Sequence, residues 1–251
     1  MVKKWDVVIP TLPGSGKRKA YICLPVGYRS RRHSRYPVMY MFDGHNVFFD
    51  SDATYGKCWG MKEYMARSKK ELIVVAVECN HKGNSRLREY APFDFENATL
   101  GAIQSQGKLY MDWLVGVLKP YIDKNYRTLP ERAHTLIAGS SMGGLMSLYA
   151  VTAYNHVFQR AACLSPSLWV DMDKVLKMVE GAQIQPDTCI YMDYGSVEIY
   201  NHEDNIDALM ETGHLLLKKR ADLTLRIIPG GTHSEASWEK QIPIFMECLG
   251  V

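Results

Sequence analysis

The 251 residues of the chain are 47% hydrophobic and 23% charged, which is ordinary for one large α/β domain and excludes a disordered or fibrous protein. A net charge of +3 is too small to indicate nucleic-acid binding, and no apolar run reaches the 18 residues that a membrane-spanning helix needs. We therefore expect one domain over residues 1–251 that binds neither nucleic acid nor membrane; a homo-oligomer stays open.

The cysteines and the N-terminal segment indicate the compartment. The six cysteines form no C-x-x-C pair and show no metal-ligand spacing. The first ten residues, MVKKWDVVIP, contain no apolar stretch long enough for a secretion signal. We expect a reducing, cytoplasmic setting, with no metal and no organic cofactor.

Short segments rich in β-branched and aromatic residues are predicted strands. In chain order they are Trp5–Pro10, Ala20–Pro25, Pro37–Phe42, Leu72–Glu78, Thr135–Ala138, Ala161–Leu164, Cys189–Tyr194 and Leu223–Ile228. The first two are separated by a turn-like segment and fit an antiparallel hairpin.

Apolar residues at three- and four-residue spacing predict helices between the later strands. These are Lys57–Ser68, Gly107–Asn125, Leu145–Asn155, Val170–Glu180, Asn201–Arg220 and Glu235–Cys248. The alternation predicts a mostly parallel eight-stranded sheet with helices on both faces and no large lid. Ligands bind beyond the carboxyl ends of the strands in such sheets, so residues just after each strand are the functional candidates.

The pentapeptide GSSMG, residues 139–143, follows one predicted strand and precedes a predicted helix. A G-x-S-x-G sequence in that context is typical of a sharp turn that presents a nucleophilic serine. Ser141 is the central residue and would lie at the helix N-terminus, where the helix dipole favours a developing anion. We predict Ser141 as the nucleophile and expect the neighbouring Ser140 to point away.

A serine hydroxyl is inert at neutral pH and needs a base. Of the eight histidines, His233 is the best candidate because it follows the last predicted strand in the loop GGTHSEASW. The base needs an orienting carboxylate, and Asp193 and Glu198 both follow or end the preceding strand. We prefer Glu198 because it lies beyond Gly195, in the loop. The chain order Ser141, Glu198, His233 is then that of the α/β hydrolases.

An oxyanion hole is expected from two backbone amides, one just after an early strand and one just after the nucleophile. The segment YPVMYMFDGHNVF supplies the strand end, with Gly44 allowing the backbone to turn. We predict the backbone amides of His45 and Met142 as the two donors.

Together these stretches resemble the putative-esterase family of α/β hydrolases, which includes siderophore (enterochelin), feruloyl and acetyl-xylan esterases and S-formylglutathione hydrolases. The resemblance extends from Trp5 to Leu249. YMFDGHNVFF resembles the oxyanion segment of the family, GSSMGGLMSLYAV its nucleophile turn, YMDYGSVE its acid loop and GGTHSEASW its histidine loop. Members of this family carry the acid at the end of a G-x-x-E sequence, which favours Glu198 here. The resemblance as a whole implies the α/β-hydrolase fold.

Substrate selection is expected in the polar and aromatic loop Asn80–Leu100 and around Trp169. Within that loop, NSRLREYAPFD is similar to a segment beside the active site in part of the family. Arg86, Arg88 and Tyr90 are the candidates there; Arg86 and Arg88 could equally pair with Glu89 to hold the loop. Trp169 follows the strand after the nucleophile helix and could line the cleft or pack on a helix.

The sequence thus predicts a serine esterase that hydrolyses small, soluble esters through an acyl-enzyme, with acylated sugars or siderophore-like esters as candidate substrates. Two alternatives stay open. One is thioester hydrolysis of the S-formylglutathione kind, and the other is a non-catalytic scaffold with the same fold.

Overall fold

The computed structural model describes residues 1–12, 16–97, 101–198 and 202–251, apart from the side chains of Asn97, His202 and Glu203. Its strands are β1 (Val2–Val8), β2 (Lys17–Cys23), β3 (Val38–Met41), β4 (Ile73–Val77), β5 (Phe95–Asn97), β6 (Gly101–Ile103), β7 (Thr135–Ser140), β8 (Arg160–Leu164), β9 (Cys189–Gly195) and β10 (Asp222–Ile228).

Eight of the strands in the described residues form one open sheet, in the order β1-β2-β4-β3-β7-β8-β9-β10. Strand β2 is antiparallel to β1 and to β4, and the remaining neighbours are parallel. Every predicted strand overlaps one of these eight. The predicted mostly parallel sheet with an N-terminal antiparallel hairpin is confirmed.

The helices of the described residues are α1 (Met61–Ser68), α2 (Ser85–Glu89), α3 (Gly107–Trp113), α4 (Lys119–Asn125), α5 (Met142–Ala153), α6 (Met172–Gly181), α7 (His202–Lys218), α8 (Glu235–Glu239) and α9 (Ile242–Cys248). A π-helical turn, Leu114–Leu118, joins α3 to α4. None of these helices combines the length and the apolar character needed to cross a membrane.

Each of the six predicted helical segments overlaps at least one helix of the structure, but their number and bounds differ from those observed. The predicted helix Glu235–Cys248 is two helices, because Pro243 lies in the first turn of α9 and has no N–H to continue α8. Helix α2 and the small β5–β6 hairpin were not predicted; both lie between β4 and β7. Their short apolar patterns are too weak to stand out in the sequence.

Hydrophobic cores lie on both faces of the sheet. Along β3, Val38 and Tyr40 enter one core and Met39 and Met41 the other, as the alternation of side chains along a strand requires. Residues of α3, α5, α6 and α7 cover the first face, and those of α1 and α9 cover the second. In β4 all five residues, IVVAV, are buried, which explains the continuous apolar run of this strand.

Candidate active site

The turn after β7 holds Ser141 in a backbone conformation that is strained for a residue with a side chain, with φ 58° and ψ −126°. A Cβ on Gly139 would lie 2.6 Å from the carbonyl oxygen of Gly143, and one on Gly143 would lie 2.9 Å from Cβ of Phe42. Both glycines are therefore needed for the close approach of strand and helix. Ser140 is the last residue of β7 and is buried, whereas Ser141 is half-buried at the N-terminus of α5.

The Ser141 backbone is fixed by neighbouring strand ends. Its N–H donates to the Leu164 carbonyl (3.0 Å), and its carbonyl accepts from the Ser167 N–H (3.1 Å). The Ser141 hydroxyl oxygen lies 3.3 Å from that of Ser167, its hydrogen-bond partner among the described side chains. Ser167 was not singled out in the sequence, although its position shortly after β8 could have indicated it.

The structure brings Glu198 and His233 together. Oε2 of Glu198 lies 2.7 Å from Nδ1 of His233, while Oε1 accepts hydrogen bonds from the Ser165 hydroxyl (2.5 Å) and the Gly195 N–H (2.9 Å). Glu198 is buried, but 41% of the His233 side chain is exposed. The ring of His233 also meets Trp238 edge to face, with centroids 5.0 Å apart. A histidine whose Nδ1–H is held by a carboxylate presents a basic Nε2.

Asp193, the alternative acid, lies inside β9 and makes different contacts. Its carboxylate accepts from the Tyr191 hydroxyl (2.8 Å) and from the Ser165 N–H (3.1 Å). Burial, with the charge of Glu198 adding to it, raises the pKa of Asp193 to about 7. Of the two candidate acids, Glu198 is the one hydrogen-bonded to His233.

The segment after β3 makes a tight turn over β4. Asp43 has a left-handed conformation, with φ 52°, and Gly44–Asn46 form one 3-10 turn. A Cβ on Gly44 would lie 2.8 Å from the backbone nitrogen of Val77, so a residue with a side chain does not fit there. The turn places the buried His45 beyond the carboxyl end of β3, on the same edge of the sheet as Ser141.

Two of the predicted substrate-binding residues hold this turn. Nε and Nη2 of Arg86 donate to the two carboxylate oxygens of Asp43, at 2.8 and 2.7 Å. Burial opposes the charge of Asp43, but Arg86 outweighs it and lowers the pKa of that carboxyl. Tyr90 is fully buried, and its hydroxyl accepts a hydrogen bond from the Asp43 N–H (3.1 Å). Contrary to the prediction, Tyr90 cannot touch a substrate in this structure, because no part of its ring reaches the surface.

The other two predicted substrate-binding residues are exposed. Arg88 lies on α2, and Trp169 is 44% exposed in the turn that follows Ser167. The Trp169 ring meets Phe95 of β5 edge to face, with centroids 6.4 Å apart. The unpredicted hairpin thus lies beside Trp169, at the edge of the site.

Contacts between loops from different strands complete the arrangement. The Asn46 side-chain amide donates to Oε1 of Glu235 (3.0 Å), which joins the β3 turn to the segment after His233. The indole N–H of Trp238 donates to the Ser165 hydroxyl (3.0 Å), so Ser165 lies between Trp238 and Glu198. These side chains are far apart in the sequence, and no local pattern indicated their contacts.

Comparison with known proteins identifies relatives of this chain. A family model described as "Putative esterase" matches residues 14–245. The chain is 23% identical over 187 residues to the uncharacterized protein YbbA of Bacillus subtilis (strain 168), covering 73% of this chain and 70% of YbbA.

Solved structures match the fold over the full length. An IroE-like serine hydrolase from Shewanella oneidensis has a TM-score of 0.74 and 18% identity, covering 100% of this chain and 88% of the other. A ferulic acid esterase has a TM-score of 0.72 and 17% identity, covering 99% and 98% of the two chains. At such identities these structural likenesses show a common fold.

Proposed function

Because the chain belongs to the putative-esterase family and is a carboxylic ester hydrolase, we propose that Ser141, His233 and Glu198 are its catalytic triad. The observation that carries the proposal is the 2.7 Å hydrogen bond between Glu198 and His233, formed on the edge of the sheet where the strained Ser141 turn lies. Fold alone does not assign a reaction; the combination of a strained serine with an oriented histidine supports this one.

The proposed reaction has two steps through an acyl-enzyme. The Ser141 hydroxyl oxygen attacks the ester carbonyl as Nε2 of His233 takes the hydroxyl proton, and His233 then donates that proton to the leaving alcohol. A water molecule, deprotonated by His233, attacks the acyl carbonyl and releases Ser141. Glu198 stays ionised and stabilises the imidazolium in each step.

The developing oxyanion is held by backbone donors. We assign the N–H groups of Met142, the first residue of α5, and of His45 in the β3 turn. One donor of this kind is typically worth about 10² to 10³ in kcat. Asp43 and Arg86 act on the reaction by holding the second donor in place. Ser167 holds the Ser141 hydroxyl before substrate binds, and that 3.3 Å contact has to open as the hydroxyl turns to His233.

Small, soluble esters are the proposed substrates, with acylated sugars and siderophore-like esters as candidate classes. Support comes from the exposure of His233, Trp169 and Arg88, which leaves an accessible rim with an aromatic ring and a cation. Rates on an oxygen ester and on its thioester analogue separate this proposal from thioester hydrolysis.

Labelling with a fluorophosphonate, followed by intact mass measurement, tests the nucleophile. We expect one adduct on the native protein and on Ser140→Ala, and none on Ser141→Ala. The two adjacent serines are matched controls for each other, since Ser140 belongs to β7 and Ser141 to the turn. Full labelling of Ser141→Ala would contradict the assignment.

A further inference from the structure

Three side chains of metal-ligand type lie together beside the β3 turn. His45 follows β3, and Cys79 and His81 follow β4. Because β3 and β4 are parallel neighbours, these residues leave the sheet at the same edge. One nitrogen or sulfur atom from each of the three lies within 4.8 Å of the other two, and the rings of His45 and His81 meet edge to face with centroids 4.5 Å apart.

The imidazole of His45 has one nitrogen that nothing else uses. Nε2 lies 3.0 Å from the Thr54 hydroxyl oxygen, while Nδ1 is buried without a hydrogen-bond partner among the described residues. His45 is only 4% exposed, so an unpaired ring nitrogen there is unfavourable. When Nε2–H donates to Thr54, Nδ1 carries a lone pair, which is the arrangement usual for a histidine that binds a metal.

The thiol of Cys79 is free and buried, whereas His81 is exposed to solvent. Burial raises the pKa of Cys79, so a metal has to displace the thiol proton to solvent as the sulfur–metal bond forms. The charged groups around the site are Asp43 and Arg86, which form an ion pair, and the carboxylates of Glu78 and Glu89. A metal ion would enter from the solvent side, where the exposed His81 is the ligand that can move.

We propose that His45, Cys79 and His81 bind a divalent transition metal, with Zn²⁺ as the representative ion and water as the fourth ligand. A thiolate with two imidazoles suits Zn²⁺ and excludes Mg²⁺ and Ca²⁺, which prefer oxygen ligands. Bond lengths of about 2.0–2.3 Å place tetrahedral ligand atoms roughly 3.5 Å apart. The three ligand atoms therefore have to approach by about an ångström, and the exposed His81 ring can make that movement.

Titration of the full chain with Co²⁺ under reducing conditions tests the site without any assay of turnover. We expect one Co²⁺ per chain, the near-ultraviolet absorption of a cobalt–thiolate bond, and displacement by Zn²⁺. Cys79→Ser should abolish the thiolate absorption, and His81→Ala should weaken binding by about 100-fold, since loss of even an outer partner typically costs about 10- to 100-fold.

The controls separate this site from other thiols. Cys248→Ser removes a partly exposed cysteine elsewhere in the chain and should leave the cobalt spectrum unchanged. His81→Ala changes an exposed side chain, so it gives a folded variant even where Cys79→Ser does not. Absence of the thiolate absorption in the native protein, or its survival in Cys79→Ser, would overturn the proposal.

Metal binding should also act on ester hydrolysis, and this part rests on the proposed function, in which the His45 amide is an oxyanion donor. A metal bound through the His45 ring ties the β3 turn to Cys79 and His81 and restrains that amide from adjusting to the oxyanion, so we expect Zn²⁺ to lower kcat of the native protein at least tenfold, reversibly with a chelator. His81→Ala should keep its turnover and lose the inhibition. Unchanged kcat with the metal bound would disprove the coupling. Ser141→Ala should still bind Co²⁺, so failure of the triad assignment is distinguishable from failure of the metal site.

Discussion

At the scale of single residues, the two oxygens of Glu198 have different partners, and this decides what a neutral replacement does. Oε1 accepts from the Ser165 hydroxyl and the Gly195 N–H, so it can only be an acceptor. Oε2 faces Nδ1 of His233. A glutamine at this position keeps its carbonyl oxygen at Ser165 and Gly195 and therefore directs its amide group at the histidine.

Glu198→Gln should lower kcat by about 10⁴-fold with little change in the fold, because an amide N–H facing Nδ1 forces the proton onto Nε2 and removes the base. Steady-state kinetics on a soluble ester measures the effect. The matched variant Asp193→Asn, which changes the acid inside β9, should keep kcat within about tenfold of native, since Asp193 is not bonded to His233. A Glu198→Gln variant with more than a tenth of the native kcat would show that the acid is not Glu198.

Arg86 is the second residue whose role its contacts define. Its guanidinium makes two hydrogen bonds to the buried Asp43 carboxylate. Arg86→Met removes the cationic partner of that carboxylate, so we expect a loss of about 3 kcal/mol in the free energy of unfolding and a fall in kcat with KM little changed. Urea denaturation and ester kinetics measure the two effects.

Arg88→Met is the control for Arg86→Met, because Arg88 lies on the same helix and is exposed. We expect its free energy of unfolding to stay within about 0.5 kcal/mol of native. If Arg86 instead bound the substrate directly, Arg86→Met would raise KM and leave stability unchanged, which would contradict the bracing role.

At the scale of elements, the site depends on how closely a turn approaches the strand beside it. Gly44 lies against the backbone of β4, and a Cβ there would lie 2.8 Å from the Val77 nitrogen and 2.9 Å from the Ala76 carbonyl carbon. Backbone atoms of a central strand cannot move away as a flexible side chain can. The β3 turn would therefore have to shift, and the His45 amide with it.

Gly44→Ala should accordingly reduce kcat by about 10² to 10³, the value of one oxyanion donor, and also lower stability. Gly116→Ala provides the comparison, because nothing lies within 4 Å of a Cβ at that position in the π-helical turn. We expect Gly116→Ala to retain kcat and to gain about 0.5–1 kcal/mol in the free energy of unfolding. Native kcat in Gly44→Ala would remove the β3 turn from the mechanism.

At the scale of the whole molecule, Asp193 links the stability of the folded chain to pH. Its pKa is about 7 in the folded protein and near 3.8 in an unfolded chain. Between these values the unfolded state releases the proton while the folded state keeps it, so the free energy of unfolding falls as the pH rises. The contribution is fully present below about pH 4 and is lost as the pH passes through 7.

Asp193→Asn removes this titration, and the difference in unfolding free energy between native and variant isolates it from the other groups. We expect the native protein to lose up to about 4 kcal/mol relative to Asp193→Asn between pH 4 and pH 8, measured by urea denaturation at each pH. A difference that stays constant with pH would show that Asp193 is ionised in the folded state throughout.

The amino-acid sequence by itself determined the sheet and indicated serine chemistry at its edge. Every strand of the large sheet overlaps a predicted one, because a buried strand needs a short apolar run that is visible locally. The Ser141 turn was readable because its G-x-S-x-G pattern is local, and Gly139 is required by a contact only four residues away, with the backbone of Gly143. The order of serine, acid and histidine follows from the order of the strands along the chain.

Only the tertiary structure decided which side chains meet across that edge. It pairs Arg86 with Asp43 and places Ser165 between Glu198 and Trp238. It also puts His45 beside Cys79, which lies 34 positions later in the sequence. The two residues meet because they follow the neighbouring strands β3 and β4. The physical reason is that such contacts depend on the spatial order of the strands, β4-β3-β7-β8-β9-β10, and on the exact course of each loop. Periodicity and composition report whether a residue is buried, and carry no information about its partner from another strand.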